Sequence, residues 1–295
     1  ANADAAMYHA KRVGKNNYQF FTDEMNNAAR RAQKLEKHLR QALNLHELDI
    51  YYQAQVQAES RKIIGMEALL RWYNDEFGQV SPADFIPLAE ATGLIVSIGE
   101  WVLYEACAQA KRWQQAGTPI RVSVNLSARQ FQDPQRHNHY QLVDTVKSAL
   151  DSSGLPPDLL ELEITESIMM QHVDITMTIM NRLKSLGVRF SVDDFGTGYS
   201  SLSYLKRFPI DTLKIDKSFI GDIVSDPSDT AIVSAIAVMA QQLKLEVIAE
   251  GVETKEQFDF LRNLRCDTIQ GYFFSKPIPA EEASLLLNNG FGNSP

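Results

Sequence analysis

Eight short apolar runs recur from residue 48 onward: IYYQAQVQA, KIIGMEALLRW, RVSVN, LLELEI, VRFSVD, TLKI, LEVIAE and DTIQG. From the third run on, each gap has room for a helix or a helix plus a loop, with helices expected over 137–151, 173–186, 228–242 and 255–264. Strands alternating with helices predict a parallel sheet. Eight such units over about 250 residues match an α/β fold, a modified TIM (β/α)8 barrel. Only ESR separates the first two runs, so they are expected to form a hairpin with the first strand antiparallel. A doubly wound open sheet is the alternative, and no GxGxxG follows an early strand to support its dinucleotide-binding form. Upstream, Leu35, Leu39, Ala42 and Leu43 recur at helical spacing among charges, and Thr22 is placed to cap the start. Residues 23–46 therefore read as a connecting helix, either solvated with one packed stripe or a joint that carries a signal between domains. Residues 1–21 read as a helix, a Gly turn and a short aromatic strand, too small to enclose a core. The expected division is 1–21, a linker helix over 22–47, and a barrel over 48–290.

Composition narrows the picture. The chain has 295 residues, 44% hydrophobic and 22% charged, enough for a large core. Its formal charge of -8 argues against a duplex nucleic-acid binder but leaves room for a small anionic ligand held by metal ions. Cys107 and Cys266 are too few and too far apart for a disulfide framework, and read as buried thiols in a reducing compartment. No apolar run reaches the roughly 18 residues of a membrane helix; LIVSIGEWVLYEACA is broken by Glu100 and Glu105. The chain opens on Ala1 and reads as a stretch of something longer.

In a barrel, chemistry collects at the carboxyl ends of the strands. The second run carries Glu67, and the third ends in Asn125. The fourth ends with Glu163, followed by Glu166, and the fifth ends in Asp193 and Asp194. The sixth holds Lys214 and then Asp216, the seventh ends in Glu250 with Glu253 beyond, and the eighth ends in Gln270. Singly, each has a plain explanation: an edge acid, a loop cap, a helix start favoured by its dipole, a snorkelling lysine. Together they deliver oxygen ligands and one cation to a single mouth. Glu67, Asn125, Glu163, Asp193 and Asp194 offer oxygen donors only, which suits Mg²⁺ or Mn²⁺. Carboxylates crowded in one pocket cannot all ionise without counter-charge, and two divalent ions would supply it. Asp193 would bridge ions about 3.5–4 Å apart, Asp194 would face the second, and the pair would activate water for in-line attack on a phosphodiester. The glycines of FGTGYSS would let the next loop fold tightly.

These residues resemble the EAL-domain cyclic-di-GMP phosphodiesterases. The resemblance runs through EALLRW at 67–72, SVNLSARQF at 123–131, ELEITES at 161–167, DDFGTGYSSLSYLKRFPIDTLKID at 193–216, AEGVET at 249–254 and QGYFFSKP at 270–277. It covers residues from about 48 to about 288, and ADAAMYHAKRVGKNNYQFF near the start resembles the end of a GGDEF domain, so the parent looks like a tandem GGDEF–EAL protein. The resemblance implies hydrolysis of cyclic-di-GMP, a bacterial second messenger, to linear 5′-pGpG. It implies Glu67, Asn125, Glu163, Asp193, Asp194 and Glu250 as metal ligands, with Glu250 acting directly or through water. Lys214 would lie near the attacking water and Glu166 would anchor the loop after Asp193, so Lys214, Glu67, Glu250 and Glu166 make up the catalytic group. Gln53, Arg71, Asp216, Glu253 and Gln270 fall where the family contacts substrate or supports the site. One departure is Ala54, where the family commonly has Pro; Gln53 beside it is retained. The resemblance further implies Mg²⁺ or Mn²⁺ with Ca²⁺ inhibitory, a homodimer, an upstream GGDEF domain in the parent, and a bacterial cytoplasmic location with any membrane tether outside this stretch. Two alternatives stay open: a cyclic-di-GMP receptor that does not cleave, and another Mg²⁺-dependent barrel enzyme such as a lyase with a Lys base.

Overall fold

The computed structural model describes residues 23–131, 141–197 and 205–291. Their elements in chain order are α1 (Asp23–Ala42), β1 (Leu48–Gln57), β2 (Ile63–Asn74), β3 (Gly78–Val80), α2 (Pro82–Thr92), α3 (Leu94–Gln115), β4 (Arg121–Asn125), α4 (Ala128–Phe131), α5 (Gln141–Ser153), β5 (Leu160–Thr165), α6 (Glu166–Met170), α7 (Val173–Leu186), β6 (Arg189–Phe195), β7 (Thr212–Ile215), α8 (Lys217–Ile220), α9 (Pro227–Leu243), β8 (Glu246–Ala249), α10 (Lys255–Asn263), β9 (Thr268–Ile269), β10 (Ile278–Pro279) and α11 (Ala280–Asn289). They fall into two compact units, one of residues up to 49 with 71–95, the other of 50–70 with 96 onward.

The second unit holds a closed ring of strands in the order β1-β9-β8-β7-β6-β5-β4-β2, shut by the pairing of β2 with β1. From β2 through β9 the neighbours in the ring are parallel. β1 runs antiparallel to β9, with Val56 opposite Ile269 and Gln57 opposite Thr268. This is the eight-stranded α/β barrel with a reversed first strand that the spacing of apolar runs predicts. The hairpin between β1 and β2 turns over residues 58–62, with Arg61 in the left-handed region at φ 55°. Two short strands escape the pattern: β3, which folds back on the far end of β2, and β10, which borders β1.

The crossover helices follow the sequence signals closely. In α7, Thr176, Ile179, Met180 and Leu183 form the buried stripe, and Gly187 at φ 101° ends the helix by donating its N–H to Lys184 O. In α10, Thr254 and Gln257 make a reciprocal capping box. The stretch 137–140 of one expected helix lies outside the described residues.

Along the strands, apolar side chains alternate with polar ones, although both sets are buried. In β5, Leu160, Leu162 and Ile164 alternate with Glu161 and Glu163. The polar set faces the lumen, because its contacts join strands that are not neighbours. Glu161 on β5 accepts from Thr212 on β7 at 2.8 Å, and Lys214 on β7 meets Glu163 on β5 and Glu67 on β2. At the amino ends of the strands, Glu161 is closed off from solvent between Arg121 and Arg189, whose Nε atoms lie 3.2 and 3.7 Å from it. Both arginines also reach Glu246, at 3.1 and 2.9 Å. A cavity of about 580 Å³ lies at this end, bordered by Arg121, Lys184, Arg189, Asp211 and Glu246. Removing one partner of a buried ion pair leaves the other charge uncompensated. Glu161→Ala is therefore expected to lower the urea midpoint, by less than the roughly 3–5 kcal/mol of a fully unpaired buried charge, because Glu246 still faces both arginines; an unchanged midpoint would show that Glu246 alone suffices for them.

In the first unit, α1 is a packed element. Leu35, Leu39 and Ala42 are buried, and the helix packs on α2. Trp72 Nε1 and Asn74 Nδ2 donate to the Glu47 carboxylate at 2.9 Å each, and Lys34 pairs with Glu76 at 3.0 Å. The helix stops at Ala42 rather than residue 46. Glu47 N–H returns to Ala42 O and His46 turns left-handed at φ 55°, so the last turn is closed by a non-helical residue. The expected cap Thr22 and the segment 1–21 lie outside the described residues.

Candidate functional site

Lys214 organises the carboxyl end of the barrel. It is the third residue of β7, and its side chain is fully buried. Its Nζ lies 2.5 Å from Glu163 Oε2, 2.6 Å from Glu250 Oε1, 3.3 Å from Asp193 Oδ1 and 3.6 Å from Glu67 Oε2. This burial excludes the plain alternative of a lysine that snorkels to solvent. Burial disfavours the ammonium, but Asp193, Glu163, Glu250 and Glu67 outweigh it and hold Lys214 charged well above the usual lysine range.

The acids divide by environment. Burial pushes Glu67 up, yet the Lys214 charge and hydrogen bonds from Gln270 and Asn125 hold it below the usual carboxylate range. Asn125 Nδ2 donates to Glu67 Oε1 at 2.7 Å, and Gln270 Nε2 donates to Glu67 Oε2. Burial raises Glu163 well above that range, helped by the charge of Glu67 and only partly relieved by Lys214. Burial pushes Glu250 up to about 8 despite Lys214, with Asp193 and Glu67 adding to the rise. Burial, then the charges of Asp193 and Asp216, bring Asp194 to about 6. In metal-free protein these raised groups hold protons that the unfolded chain releases near the ordinary carboxylate values. Their contribution to stability is complete below about pH 4 and is lost as pH rises through about 6 for Asp194 and about 8 for Glu250. Stability in chelator, followed by the thermal midpoint, is thus expected to fall between pH 5.5 and 8.5, the unfolding free energy dropping by on the order of 1 kcal/mol per pH unit for each proton held. A midpoint that stays level or climbs across that range would contradict the crowding.

Adjacent acids reach one place because the backbone breaks its alternation there. The pairing of β6 with β7 slips between Val192 and Phe195, and Asp194 is left-handed at φ 54°. Asp193 Oδ1 accepts the Asp194 N–H at 3.0 Å, and Gly196 at φ 100° continues the turn. The Gly196 N–H lies 3.4 Å from Glu166 Oε2, which ties the turn to the start of α6. Residues 198–204, including Gly198, lie outside the described residues.

Two observations fit this mouth to a hard divalent cation. One carboxylate oxygen from each of Asp193, Asp194 and Glu250 lies within 4.8 Å of the others. Glu163 Oε1 is buried without a hydrogen-bond partner among the described residues. The donors are all oxygen, as Mg²⁺ or Mn²⁺ require.

The structure places other expected residues unevenly. Gln270 follows β9 and links Glu67 to Gln53, whose Oε1 it meets at 3.2 Å; Gln53 in turn donates to Ser275 O at 3.0 Å. Asp216 caps α8, accepting from Ser218 N–H at 3.0 Å and from the Ser218 hydroxyl. Burial would raise Asp216, but those Ser218 bonds hold it low. Glu253 is exposed, and no side-chain bond ties it to the acids among the described residues. Arg71 is half-buried and belongs to the first unit. Glu67 sits mid-strand, as its place inside the second run implies, because β2 runs on to Asn74 to pair with β3. Gln55, buried beneath Gln270, escaped the sequence reading; its signal is the alternation of Gln53 and Gln55 between Ala54 and Val56. Cys107 and Cys266 are both free and buried, and burial pushes each thiol to about 12. No single helix among the described residues is long and apolar enough to cross a membrane.

Barrel and mouth together define an α/β-barrel protein whose carboxyl end gathers acids around a buried lysine. The EAL domain family model matches residues 36–277, and the chain belongs to that family. It is 49% identical over 282 residues to the bifunctional diguanylate cyclase/cyclic di-GMP phosphodiesterase MucR of Pseudomonas aeruginosa, covering 95% of this chain and 40% of that protein. It is 43% identical over 279 residues to the cyclic di-GMP phosphodiesterase NbdA of the same organism, covering 94% and 35%. The chain therefore spans well under half the length of these relatives. Among solved structures, a PaMucR phosphodiesterase complex with c-di-GMP superposes with a TM-score of 0.80 at 48% identity, covering 85% of this chain and 99% of that one.

Proposed function

We propose that this domain hydrolyses cyclic-di-GMP to linear 5′-pGpG by in-line attack of water at a two-metal centre. The observation that carries the reading is the oxygen-only mouth itself: four carboxylates gathered on Lys214, one of them with an unpaired buried oxygen. Relatives named as cyclic-di-GMP phosphodiesterases support the substrate. Glu67, Asn125, Glu163, Asp193, Asp194 and Glu250 would hold Mg²⁺ or Mn²⁺. When bound, such ions lower the pKa of water and offset charge on the phosphodiester.

The chain's own groups do the rest. Asn125 and Gln270 hold Glu67 in one orientation as an acceptor. Lys214 keeps Glu163, Glu250 and Asp193 converged and sets a fixed positive charge beside the reacting phosphate. Glu166 braces the turn that carries Asp193 and Asp194. Gln53, Arg71, Asp216, Glu253 and Gln270 are assigned to substrate contact by family resemblance, with Arg71 suited to phosphate by its fixed donors. We assign the domain to the bacterial cytoplasm, working as a homodimer downstream of a GGDEF domain whose last residues are 1–21, with 22–47 as the joint.

The test is turnover of cyclic-di-GMP followed by chromatography, with Mg²⁺, Mn²⁺ or Ca²⁺ added to chelated protein. Mg²⁺ and Mn²⁺ are expected to support formation of 5′-pGpG. Ca²⁺ is expected to support little, because its looser coordination spoils the attack geometry. Binding of cyclic-di-GMP without product under Mg²⁺ and Mn²⁺ would make the domain a receptor instead.

A further inference from the structure

A hydrogen-bonded column runs along the barrel lumen from the ion-pair layer at the amino ends to the acids at the carboxyl ends. Ser123 Oγ donates to Glu161 Oε2 at 3.3 Å. Gln55 Nε2 lies 3.4 Å from Ser123 Oγ, to which it donates. The same Nε2 donates upward to Gln270 Oε1 at 3.2 Å. Gln270 Nε2 then donates to Gln53 Oε1 at 3.2 Å and to Glu67 Oε2. Every member of this column is buried.

The polarity of the column has one solution. Both ends are carboxylates, Glu161 below and Glu67 above, and an ionised carboxylate only accepts. Some group between them has to donate in both directions, and Gln55 does so with the two hydrogens of its amide. Turning Gln270 over would set its carbonyl against Glu67 and Gln53 Oε1 and its N–H against the N–H of Gln55, three repulsive contacts for three attractive ones. Gln55 meets this role at a cost. Its Oε1 is buried with no hydrogen-bond partner among the described residues, and it faces Gly65, where a Cβ would lie 2.3 Å from it. An apolar residue at 55 would avoid that orphaned carbonyl, so the amide is accounted for by its N–H groups.

We propose that Gln55 is a positioning residue for Glu67: it fixes which way round the Gln270 amide stands and so keeps a donor on this metal ligand. The inference rests on the two-metal reading of the mouth. Gln55 touches neither substrate nor metal and acts through Gln270. Outer partners of metal ligands commonly set affinity by about 10–100-fold, because they orient the ligand before the ion arrives.

The experiment measures Mn²⁺ affinity by titration calorimetry on the whole chain, for wild type, Gln55→Met, Gln270→Met and the double variant. Gln55→Met keeps the volume and removes the donor, and is expected to weaken Mn²⁺ binding about tenfold. Because Gln55 works through Gln270, the double variant should bind no worse than Gln270→Met alone, a non-additivity that a purely structural role for Gln55 would not produce. Thermal unfolding in chelator reports separately on folding. Should Gln55→Met fail to fold, Gly65→Ala serves in its place: it keeps every polar group, crowds Gln55 out of line, and is expected to weaken binding in the same direction. Unchanged affinity in whichever of these variants folds, or additive losses in the double variant, would overturn the positioning role while leaving the metal reading intact. Failure of the wild type to bind Mn²⁺ would remove both.

Discussion

Asp193→Asn is expected to remove nearly all turnover of cyclic-di-GMP while leaving the barrel folded. The substitution keeps the shape of the side chain, and its Oδ1 can still accept the Asp194 N–H that Asp193 accepts at 3.0 Å. What changes is the other half of the carboxylate, which becomes an N–H₂, and the negative charge beside Lys214 is lost. In the two-metal reading proposed above, Asp193 would help hold both ions, so one neutralised charge would be felt at both. Loss of turnover of at least the order of 10²–10³-fold is expected, the scale of removing one electrostatic element from a reaction centre. The metal-free protein loses the Asp193 charge that does most to hold Lys214, but also sheds the repulsion that raises Asp194 and Glu250, so its stability at pH 8 should stay close to wild type. Turnover assays under saturating Mg²⁺ and thermal unfolding in chelator read the two halves separately. Near-full activity in Asp193→Asn would remove the bridging role.

Lys214→Ala gives the second large effect, with a different signature. The ammonium lies within 3.6 Å of carboxylates from Glu67, Glu163, Asp193 and Glu250 and is fully buried. Without it the metal-free barrel keeps these acids with no fixed cation among them. The expected cost is about 3–5 kcal/mol at neutral pH, the range found when one partner of a buried pair is removed. Divalent metal should restore much of that stability, because its charge replaces the ammonium. Turnover should still fall on the order of 10²–10³-fold, since a fixed positive charge beside the phosphate is gone. Binding of cyclic-di-GMP should stay measurable, because the assigned substrate contacts lie on other residues. Lys214→Arg is not expected to rescue, since the hole is fully buried and a guanidinium fork is larger and differently shaped. Activity within about tenfold of wild type would show that Lys214 organises the acids without serving the reaction.

The architecture was legible in the chain because its runs and gaps are regular. The helices over 173–186 and 255–263 fall within a residue of the expected spans, since each carries an amphipathic stripe, Gly187 ends the first and the Thr254 capping box starts the second. The strands β3 and β10 were not legible, because two or three residues carry no period. The end of α1 was misjudged for a related reason: Leu43 continues the helical spacing, but the chain closes at His46 through backbone bonds that no side chain announces. The acids at the mouth were found by asking what ends each strand. That rule missed Gln55, which ends nothing, and Glu67 was found only as a residue carried within its run, since β2 continues seven residues beyond it to Asn74.

The sequence by itself determined the order of strands and helices, the reversal of the first strand, and the kinds of donor brought to the barrel mouth. Those are local properties: period, turn length and residue type are written in neighbouring positions. Tertiary structure alone decided which charges meet. Lys214 and Glu163 are separated by 51 residues yet lie 2.5 Å apart, because closing the ring sets β5 and β7 on either side of β6 and turns both side chains into one lumen. The pKa ordering of the acids, the slip that swings Asp194 toward Asp193, and the column through Gln55 all come from that closure. They depend on distances across the barrel, and no pattern along the chain encodes them.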